Sequence, residues 1–323
     1  MPLTRRRLVA GLLVAPLAGP LRAQAGYPTR AITLVVPFAP GGIADITART
    51  VAQAMAAELG QTVVIDNRPS AGSIVASSAV AQARPDGHTL LLMSNGNAVS
   101  ASLFAKLPFD IERDFVPITT LGFFDLAVFA AAGSPHASLG AVVADARARP
   151  GALTIGTVSA GSTQNLAAQL FKTVAGIDAV VVPYKATPAL VVALRNGEVD
   201  VAFEILGPML PQLQAKAVEA LAVTSARRFP GLPAVPTVQE AGVTGYQVSS
   251  WNGLAAPRGT PAAVIERLNQ AARHAVASPA VQARLEPLGV RLQAGAPGQL
   301  AQLLASEIVR WREVQRAAGI TPR

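Results

Sequence analysis

Residues 35–50 read VVPFAPGGIADITART, an apolar run that breaks at Pro-Gly-Gly and gives way to helical spacing. The pattern predicts a strand at Ile32–Val36 and a helix over Ile43–Leu59, joined by the loop Phe38–Gly42. Glycine lets the backbone approach a ligand, and the following helix presents unpaired N–H groups at the positive end of its dipole. No Lys-Ser or Lys-Thr pair follows, so the loop is not of the nucleotide-phosphate type. Either a tight turn or a seat for a carboxylate or another anion fits it.

The rest of the chain repeats this alternation of β-branched runs with Ala- and Leu-rich stretches, which is typical of an α/β protein with largely parallel sheets. The first series continues with strands at Thr62–Asp66 and Thr89–Met93 around a helix at Ser73–Ala83. The remaining predicted helices are Leu139–Arg149, Ser162–Ala175, one opening at Thr187-Pro188, Pro261–Ala277 and Pro297–Ala318, and the remaining strands are Leu153–Val158, Ala179–Val182, Val199–Phe203 and Ala220–Thr224.

Two βαβ series of similar size predict two lobes. Residues 26–122 and 250–323 form the first predicted lobe and residues 123–249 the second. The chain is expected to cross between them at Thr119–Phe124 and Tyr246–Trp251. This arrangement places a cleft and a hinge between the lobes, a usual place for a ligand. On pattern alone, a single extended sheet stays an alternative.

The second lobe carries a loop that matches the one at Phe38–Gly42. It runs over Ser159–Thr163 and also joins a predicted strand to a helix. Its hydroxyl groups add donors, although either Ser162 or Thr163 could instead cap the helix. Two such loops at matching places predict a clamp on a small anionic solute. The candidate ligand-binding residues of the two loops are Phe38, Pro40, Gly41, Gly42, Ser159, Gly161, Ser162 and Thr163.

Three further polar residues are predicted to reach the same edge. Asp45 lies in the first turn of its helix, where it either complements the helix dipole or accepts a hydrogen bond from a ligand amine or hydroxyl. Ser94 and Asn95 follow the strand Thr89–Met93, as turn formers or as ligand contacts. All three are therefore included as candidate ligand-binding residues.

Glu204 is an unexpected residue at this edge, because a carboxylate there would repel an anionic ligand. It ends the run Val199–Glu204, and Lys185 lies in the loop after the neighbouring strand. One interpretation is a purely structural Glu204–Lys185 ion pair. The other is that both residues contact the ligand, with Glu204 facing an ammonium or amide group.

The N-terminus has the features of a cleavable signal peptide over residues 1–25. Basic residues at Arg5–Arg7 precede an apolar stretch that ends near Leu21, and Ala23-Gln24-Ala25 is a small-x-small cleavage site. The paired arginines also suit the twin-arginine export route. Four of the 27 basic residues and none of the 19 acidic ones lie in this segment, so its removal lowers the net charge from +8 to about +4. The remaining charges form no stripe, so no nucleic-acid partner is predicted.

Several function classes are excluded by missing residue types. The chain of 323 residues has no cysteine, which excludes disulfides, thiol catalysis and a lipid-modified N-terminal Cys. His88, His136 and His274 show no metal-ligand spacing. No nucleophile elbow, Walker lysine or dinucleotide fingerprint is present. No cofactor is therefore expected, and catalysis would need an unfamiliar site.

Several stretches taken together resemble the substrate-binding receptors of tripartite tricarboxylate transporters, also called Bug receptors. The resemblance rests on YPTRAITLVVPFAPGGIAD at 27–45, VVIDNRPSAG at 63–72, PDGHTLLLM at 85–93, SLFAKLPFDIERDF at 102–115, VVPYKATPAL at 181–190, ALAVTSARRFPGLPAVPTVQEAG at 220–242 and WNGLAAPRGTP at 251–261. It implies a two-lobed α/β periplasmic-binding-protein fold (type II-like) without catalysis. It also implies that the two loops hold a ligand carboxylate, largely through backbone N–H groups and waters.

The resemblance further implies a monomeric receptor that delivers a carboxylate-bearing metabolite to a membrane permease made of two other subunits. The sequence departs from the family pattern in three places: a shorter loop at Tyr184–Thr187, Glu204-Ile205 where Asp-Asn is common, and a shortened loop at Ser94–Ser100. All three lie at the predicted cleft, so the ligand is the least transferable property. An orphan receptor that serves a sensor, or an unrecognised hydrolase or isomerase, are the alternatives.

Overall fold

The computed structural model describes residues 26–158, 160 and 162–322. The predicted signal peptide at residues 1–25 lies outside the described residues, as do the candidate ligand-binding residues Ser159 and Gly161. Within these ranges, none of the helices is both long enough and apolar enough to cross a membrane. The described histidines and acids form no group of three or more that could hold a metal ion.

The elements follow one another in a βα alternation that breaks at β8–β9, where the chain returns to the first lobe, and at α8–α9. In chain order they are β1 (Ile32–Val36), α1 (Ile43–Leu59), β2 (Val63–Asn67), α2 (Ile74–Ala81), β3 (Thr89–Ser94), α3 (Asn95–Leu103), β4 (Phe115–Ala131), α4 (Leu139–Ala148), β5 (Thr154–Val158), α5 (Thr163–Ala175), β6 (Val180–Tyr184), α6 (Thr187–Arg195), β7 (Val201–Ile205), α7 (Leu206–Gln214), β8 (Val218–Val223), β9 (Ser249–Pro257), α8 (Ala262–Ala277), α9 (Pro279–Leu285), β10 (Val290–Leu292) and α10 (Pro297–Ala317).

Most predicted elements are confirmed to within about two residues. The helix α1 ends where predicted, because Gly60 adopts a left-handed conformation with φ 67° and closes the last turn with its N–H bonded to Ala56. The predicted loop Ser94–Ser100 is wrong. Those residues cap and begin α3, where Asn97 Oδ1 accepts from the Ser94 N–H at 2.9 Å and from the Ser94 hydroxyl at 3.4 Å. The sequence patterns also missed α7, α9 and β10, and they predicted parts of β4 and β9 only as crossings between the lobes.

The strands form two sheets that share β4. In the first, the order is β2-β1-β3-β9-β4, with β10 also paired to β4. In the second, the order is β6-β5-β7-β4, with β8 also on β4. The β1–β2, β1–β3, β5–β6 and β5–β7 pairs are parallel. All pairs made by β4 and β9 are antiparallel, so the prediction of largely parallel sheets is wrong and the sheets are mixed.

The long strand β4 connects the two lobes. Residues up to Asp125 pair with β9, whose partner there is Ser249. From Leu126 onward β4 pairs with β7 and β8. The first lobe therefore consists of the first sheet with α1–α3 and α8–α10, and the second lobe of the second sheet with α4–α7. The two-lobed fold predicted from the sequence is confirmed.

The lobes are not packed as independent bodies. The helices α1 and α8 cover one face of the first sheet, and α10 packs against α3, β4 and also α5 of the second lobe. One apolar core accordingly runs through both lobes, from Trp251 and Trp311 in the first to Phe171 and Tyr246 in the second. These aromatic side chains are at most 1% exposed. The junction is therefore held by buried apolar surface as well as by β4.

Candidate functional site

The carboxyl ends of the parallel strands bring five helix starts to one place. In the first lobe, β1 leads into α1 and β3 into α3; in the second, β5, β6 and β7 lead into α5, α6 and α7. The first N–H groups of each helix have no acceptor within their own helix, and the helix dipoles point the same partial positive charge at this edge. The edge is therefore suited to negative charge.

The conformation of the Phe38–Gly42 loop is fixed by hydrogen bonds to the side chains of Asp45 and Asn67. Asp45 accepts hydrogen bonds from the Gly41 N–H at 2.9 Å, from Arg49 Nε at 2.9 Å and from Asn67 Nδ2 at 2.8 Å. The same Asn67 amide donates to the Phe38 carbonyl at 2.9 Å. Gly41 lies at φ 85°, a conformation that glycine adopts without strain. The loop is thus fixed before any ligand arrives.

Asp45 is buried, and protein donors occupy both of its oxygens. Burial alone would raise its pKa, but the hydrogen bonds from Arg49, the Gly41 N–H and Asn67 outweigh that and lower the pKa below the ordinary carboxyl value. Asp45 therefore stabilises the conformation of the Phe38–Gly42 loop. Pro40, Gly41 and Gly42 stay exposed, whereas Ala44 and Asp45 in the first turn of α1 are buried.

Asp45→Asn is expected to destabilise the protein by about 2 kcal/mol at neutral pH, because one set of donors loses its charged acceptor. A lowered folded pKa stabilises the fold above the ordinary carboxyl pKa, and this stabilisation is lost as pH falls through the lowered value. The difference from wild type should therefore shrink below about pH 4. Urea unfolding across pH measures this. Asp66→Asn is the control, since Asp66 pairs with Arg68 near the surface, and an equal loss there would contradict the assignment.

Asn95 joins the two lobes. Its Nδ2 donates to the Thr163 hydroxyl at 2.9 Å, across the junction, and its Oδ1 accepts from Trp311 Nε1 at 2.8 Å. Trp311 also donates to Glu307 at 2.7 Å. Asn95 and Thr163 are both buried. The predicted residues of the two lobes are thus in direct contact, which shows that the edges at α3 and α5 face one another.

Ser162 caps α5. Its hydroxyl accepts from the Asn165 N–H at 3.1 Å and donates to the Val158 carbonyl. The capping role anticipated for Ser162 or Thr163 therefore falls to Ser162, and the Thr163 side chain is left to bond Asn95. Ser94 is likewise occupied in the cap of α3. The donors at this end are then the first N–H groups of α5, at Thr163 and Gln164, since the Asn165 N–H is bonded to Ser162.

Glu204 lies where three helices of the second lobe begin. It is 1% exposed and accepts from Gln164 Nε2 at 2.8 Å, from the Thr187 hydroxyl at 3.1 Å and from the Ile205 N–H at 2.6 Å. Burial raises its pKa, and these hydrogen bonds oppose the rise. The structural interpretation of a Glu204–Lys185 ion pair is wrong. Lys185 is exposed and makes no ion pair with any residue the structure describes.

Two buried polar atoms lie unpaired on β9. Among the residues described, Trp251 Nε1 and Asn252 Oδ1 have no hydrogen-bond partner. Asn252 pairs in register with Ser94, at the end of β3 that leads into α3. A buried polar atom without a partner costs about 1–3 kcal/mol, so the cleft end of β9 favours a polar occupant. The sequence reading had named neither residue for the site.

Other residues that shape the site were missed for identifiable reasons. Arg49 stands four residues after Asp45, a spacing that predicts their ion pair and could have been used. Asn67 ends the strand next to β1, so the rule that parallel strands share an edge could have found it. Trp311 lies 216 residues from Asn95, and no local pattern connects them.

A close approach across the junction completes the geometry. A Cβ at Gly207, in the first turn of α7, would lie 2.4 Å from the Leu288 carbonyl oxygen and 3.8 Å from Ile43 at the start of α1. The backbone of α7 at Gly207 therefore packs directly against the backbone at Leu288, with no side chain between the two lobes at this point. Together with the Asn95–Thr163 bond, this contact holds the two edges face to face.

Two lobes that share long strands and face each other with helix starts define a periplasmic binding protein fold, as in the solved protein BugD, which superposes with a TM-score of 0.80. Residues 47–320 match the family described as tripartite tricarboxylate transporter family receptor, and the chain belongs to that family. Its members are substrate-binding receptors, so the chain is a receptor and not an enzyme. The family predicted from the sequence is confirmed.

Individual relatives resemble the chain along nearly its whole length. Protein BugT of Bordetella pertussis is 34% identical over 99% of both chains. The R. palustris protein Rpa4515, solved with adipate, is 34% identical with a TM-score of 0.83, covering 92% of this chain and 100% of its own. MatC of Rhodopseudomonas palustris, solved with bound malate, is 35% identical with a TM-score of 0.78, covering 89% of this chain and 99% of its own.

Proposed function

We propose that the protein is a periplasmic receptor that binds a small carboxylate-bearing metabolite between its lobes. The observation that carries this proposal is the meeting of helix starts from both lobes, joined at Asn95 and Thr163. Helix N-termini favour anions through their free N–H groups and their dipoles. Adipate and malate in the solved relatives are both carboxylates, which supports the same ligand class here.

The ligand carboxylate would be held mainly by backbone groups. In the first lobe these are the exposed loop around Gly41 and Gly42 and the first turn of α1. In the second they are the N–H groups at the start of α5, together with the loop residues Ser159–Thr163. The cleft end of β9 would add Asn252 as an acceptor for a water or a ligand donor.

Membership in the family supports a wider role in transport. After removal of residues 1–25 the receptor would work in the periplasm, as a monomer, and pass its ligand to the permease subunits of a tripartite transporter. The lobes would comprise residues 26–122 with 250–323, and residues 123–249. Ligand contacts made from both lobes would favour the closed arrangement, which the permease could distinguish from an open one.

A pair of variants at Gly41 tests the anion loop. Asp and Asn at this position have the same size and the same strain at φ 85°, and a Cβ there meets nothing within 4 Å. Only Asp adds a negative charge. We expect Gly41→Asp to bind a carboxylate at least about tenfold more weakly than Gly41→Asn. Titration calorimetry with the best ligand of a carboxylate panel measures the difference.

Binding of each carboxylate in the panel is detected by the rise in Tm of the exported protein. Ligand at about 100 times its Kd adds about 2.7 kcal/mol of stability, which is an easily measured rise in Tm. Equal affinities of the Asp and Asn variants would exclude the Phe38–Gly42 loop from the site. A wild-type protein that responds to no carboxylate would contradict the proposed function as a whole.

A further inference from the structure

We infer that Glu204 places the protein's own carboxylate where the far end of the bound ligand would lie, so that the receptor selects monocarboxylates with a neutral far end over dicarboxylates. This inference rests on the proposed function and concerns the charge of its ligand. The relatives solved with adipate and malate hold dicarboxylates, so the inference sets this chain apart from them.

The first argument is position. Glu204 ends β7 beside the first turn of α5, which supplies Gln164, and beside the first residue of α6, Thr187. Its own chain then turns into α7 at the Ile205 N–H, which also donates to it. One buried carboxylate therefore takes donors from the starts of all three helices that the second lobe presents at this edge.

The second argument is what Glu204 does to its neighbours. The Thr187 hydroxyl has one hydrogen, and in donating it to Glu204 it keeps only acceptor lone pairs for any other partner. Gln164 points an amide N–H at Glu204, which directs its acceptor oxygen elsewhere. Thr187 is left with acceptor lone pairs only, and Gln164 keeps its carbonyl oxygen as an acceptor beside its second N–H. Acceptors suit an amide or hydroxyl donor and disfavour a second carboxylate.

The third argument is charge. The groups that contact Glu204 from α5, α6 and β7 are an amide, a hydroxyl and a backbone N–H, and its register partner on β4 is Ala127. None of these carries a positive charge, and Lys185 makes no ion pair with it. The second carboxylate of a dianion would therefore be repelled by ionised Glu204 in a site of low dielectric. A dianion would otherwise bind only when Glu204 takes up a proton.

Protonation of Glu204 would weaken the preference for a neutral far end. A protonated Glu204 can donate to Thr187, whose hydroxyl hydrogen is then free for a ligand carboxylate. Burial already raises the pKa of Glu204, so this form becomes accessible as pH falls. Dicarboxylate affinity should therefore increase on acidification in the wild type, beyond any change seen for monocarboxylates.

The test pairs each dicarboxylate with its own monoamide, which has the same shape and one charge fewer. Adipate, succinate and terephthalate, each with its monoamide, are titrated calorimetrically into the exported protein at about pH 8 and about pH 5.5. We expect the wild type to prefer a monoamide at least about tenfold at the higher pH, and by less at the lower pH. Glu204→Gln should narrow the preference at the higher pH and remove its pH dependence.

Glu219→Gln is the matched control, because Glu219 is an exposed residue of β8 in the same lobe. It removes the same charge away from the cleft and should keep the wild-type preference. The inference is overturned if wild type binds dicarboxylates as tightly as their monoamides at the higher pH, or if Glu204→Gln leaves the preference unchanged. In either case the binding of some carboxylate would leave the proposed function standing. Binding of none of the six acids would overturn both.

Discussion

Gly207→Ala is expected to weaken ligand binding about 5- to 150-fold while leaving both lobes folded. The added methyl group would stand 2.4 Å from the Leu288 carbonyl oxygen, which belongs to the backbone and is not the end of a flexible side chain. Overpacking of this kind costs about 1–3 kcal/mol, which converts to that loss of affinity if the cost falls on the closed arrangement. Gly207 has no positive φ, so alanine adds no backbone strain of its own.

Titration calorimetry with a carboxylate that binds the wild type measures this effect. Gly298→Ala makes the same chemical change in α10, where a Cβ would meet nothing within 4 Å, and should bind like wild type. Circular dichroism and thermal unfolding show whether the Gly207 variant is still folded. A folded variant with wild-type affinity would mean that the contact between α7 and Leu288 plays no part in binding.

Trp311→Ala is expected to destabilise the protein by about 3–5 kcal/mol, the usual cost of removing a large buried aromatic side chain. Trp311 is fully buried in the core that both lobes share. Its indole N–H also bonds Asn95 and Glu307, so the substitution removes the support of the residue that bridges to Thr163. Stability and the interlobe contact should be affected together.

Trp311→Phe separates the two effects. It keeps an aromatic ring in the core but removes the N–H, which should cost about 1–3 kcal/mol because Asn95 and Glu307 lose a donor. Val309→Ala, at an exposed site of the same helix, is the control and should change stability by at most about 0.5 kcal/mol. Urea unfolding gives all three values. A Phe variant as unstable as the Ala variant would show that the hydrogen bonds, and not the packing, dominate at this position.

Local patterns were sufficient for most elements and for the outline of the site. The strand–glycine–helix sequence at residues 32–59 predicts β1 and α1, because apolar alternation and a glycine stop are local signals. The two lobes followed from the repeat of that pattern. The anion loop around Gly41 follows from the same few residues, although its ligand contacts stay a prediction.

Long-range pairing could not be read in the same way. The 17-residue strand β4 looks like any apolar run, and nothing in its own residues says that it changes partners after Asp125. The antiparallel insertion of β9 between β3 and β4 depends on a chain return of more than 100 residues, which no local period records. The mixed sheets were missed for this reason.

The roles of the acidic residues Asp45 and Glu204 could not be predicted without the three-dimensional structure. From sequence, both Asp45 and Glu204 were candidates to contact the ligand directly, and Glu204 also to pair with Lys185. The fold instead surrounds Asp45 with donors that set the loop, and surrounds Glu204 with neutral donors from three helix starts. Which donors reach a carboxylate depends on how helices from distant segments pack, and residue spacing does not contain that.

A crystal structure of the exported protein with its tightest carboxylate ligand tests the central claim most directly. We predict density for the carboxylate between the lobes, within hydrogen-bonding distance of N–H groups from the Phe38–Gly42 loop or the first turn of α1 and from the start of α5. Density elsewhere would contradict that claim, for example in the surface groove between α1 and β2 lined by Arg49 and Gln53. So would a carboxylate held by only one lobe.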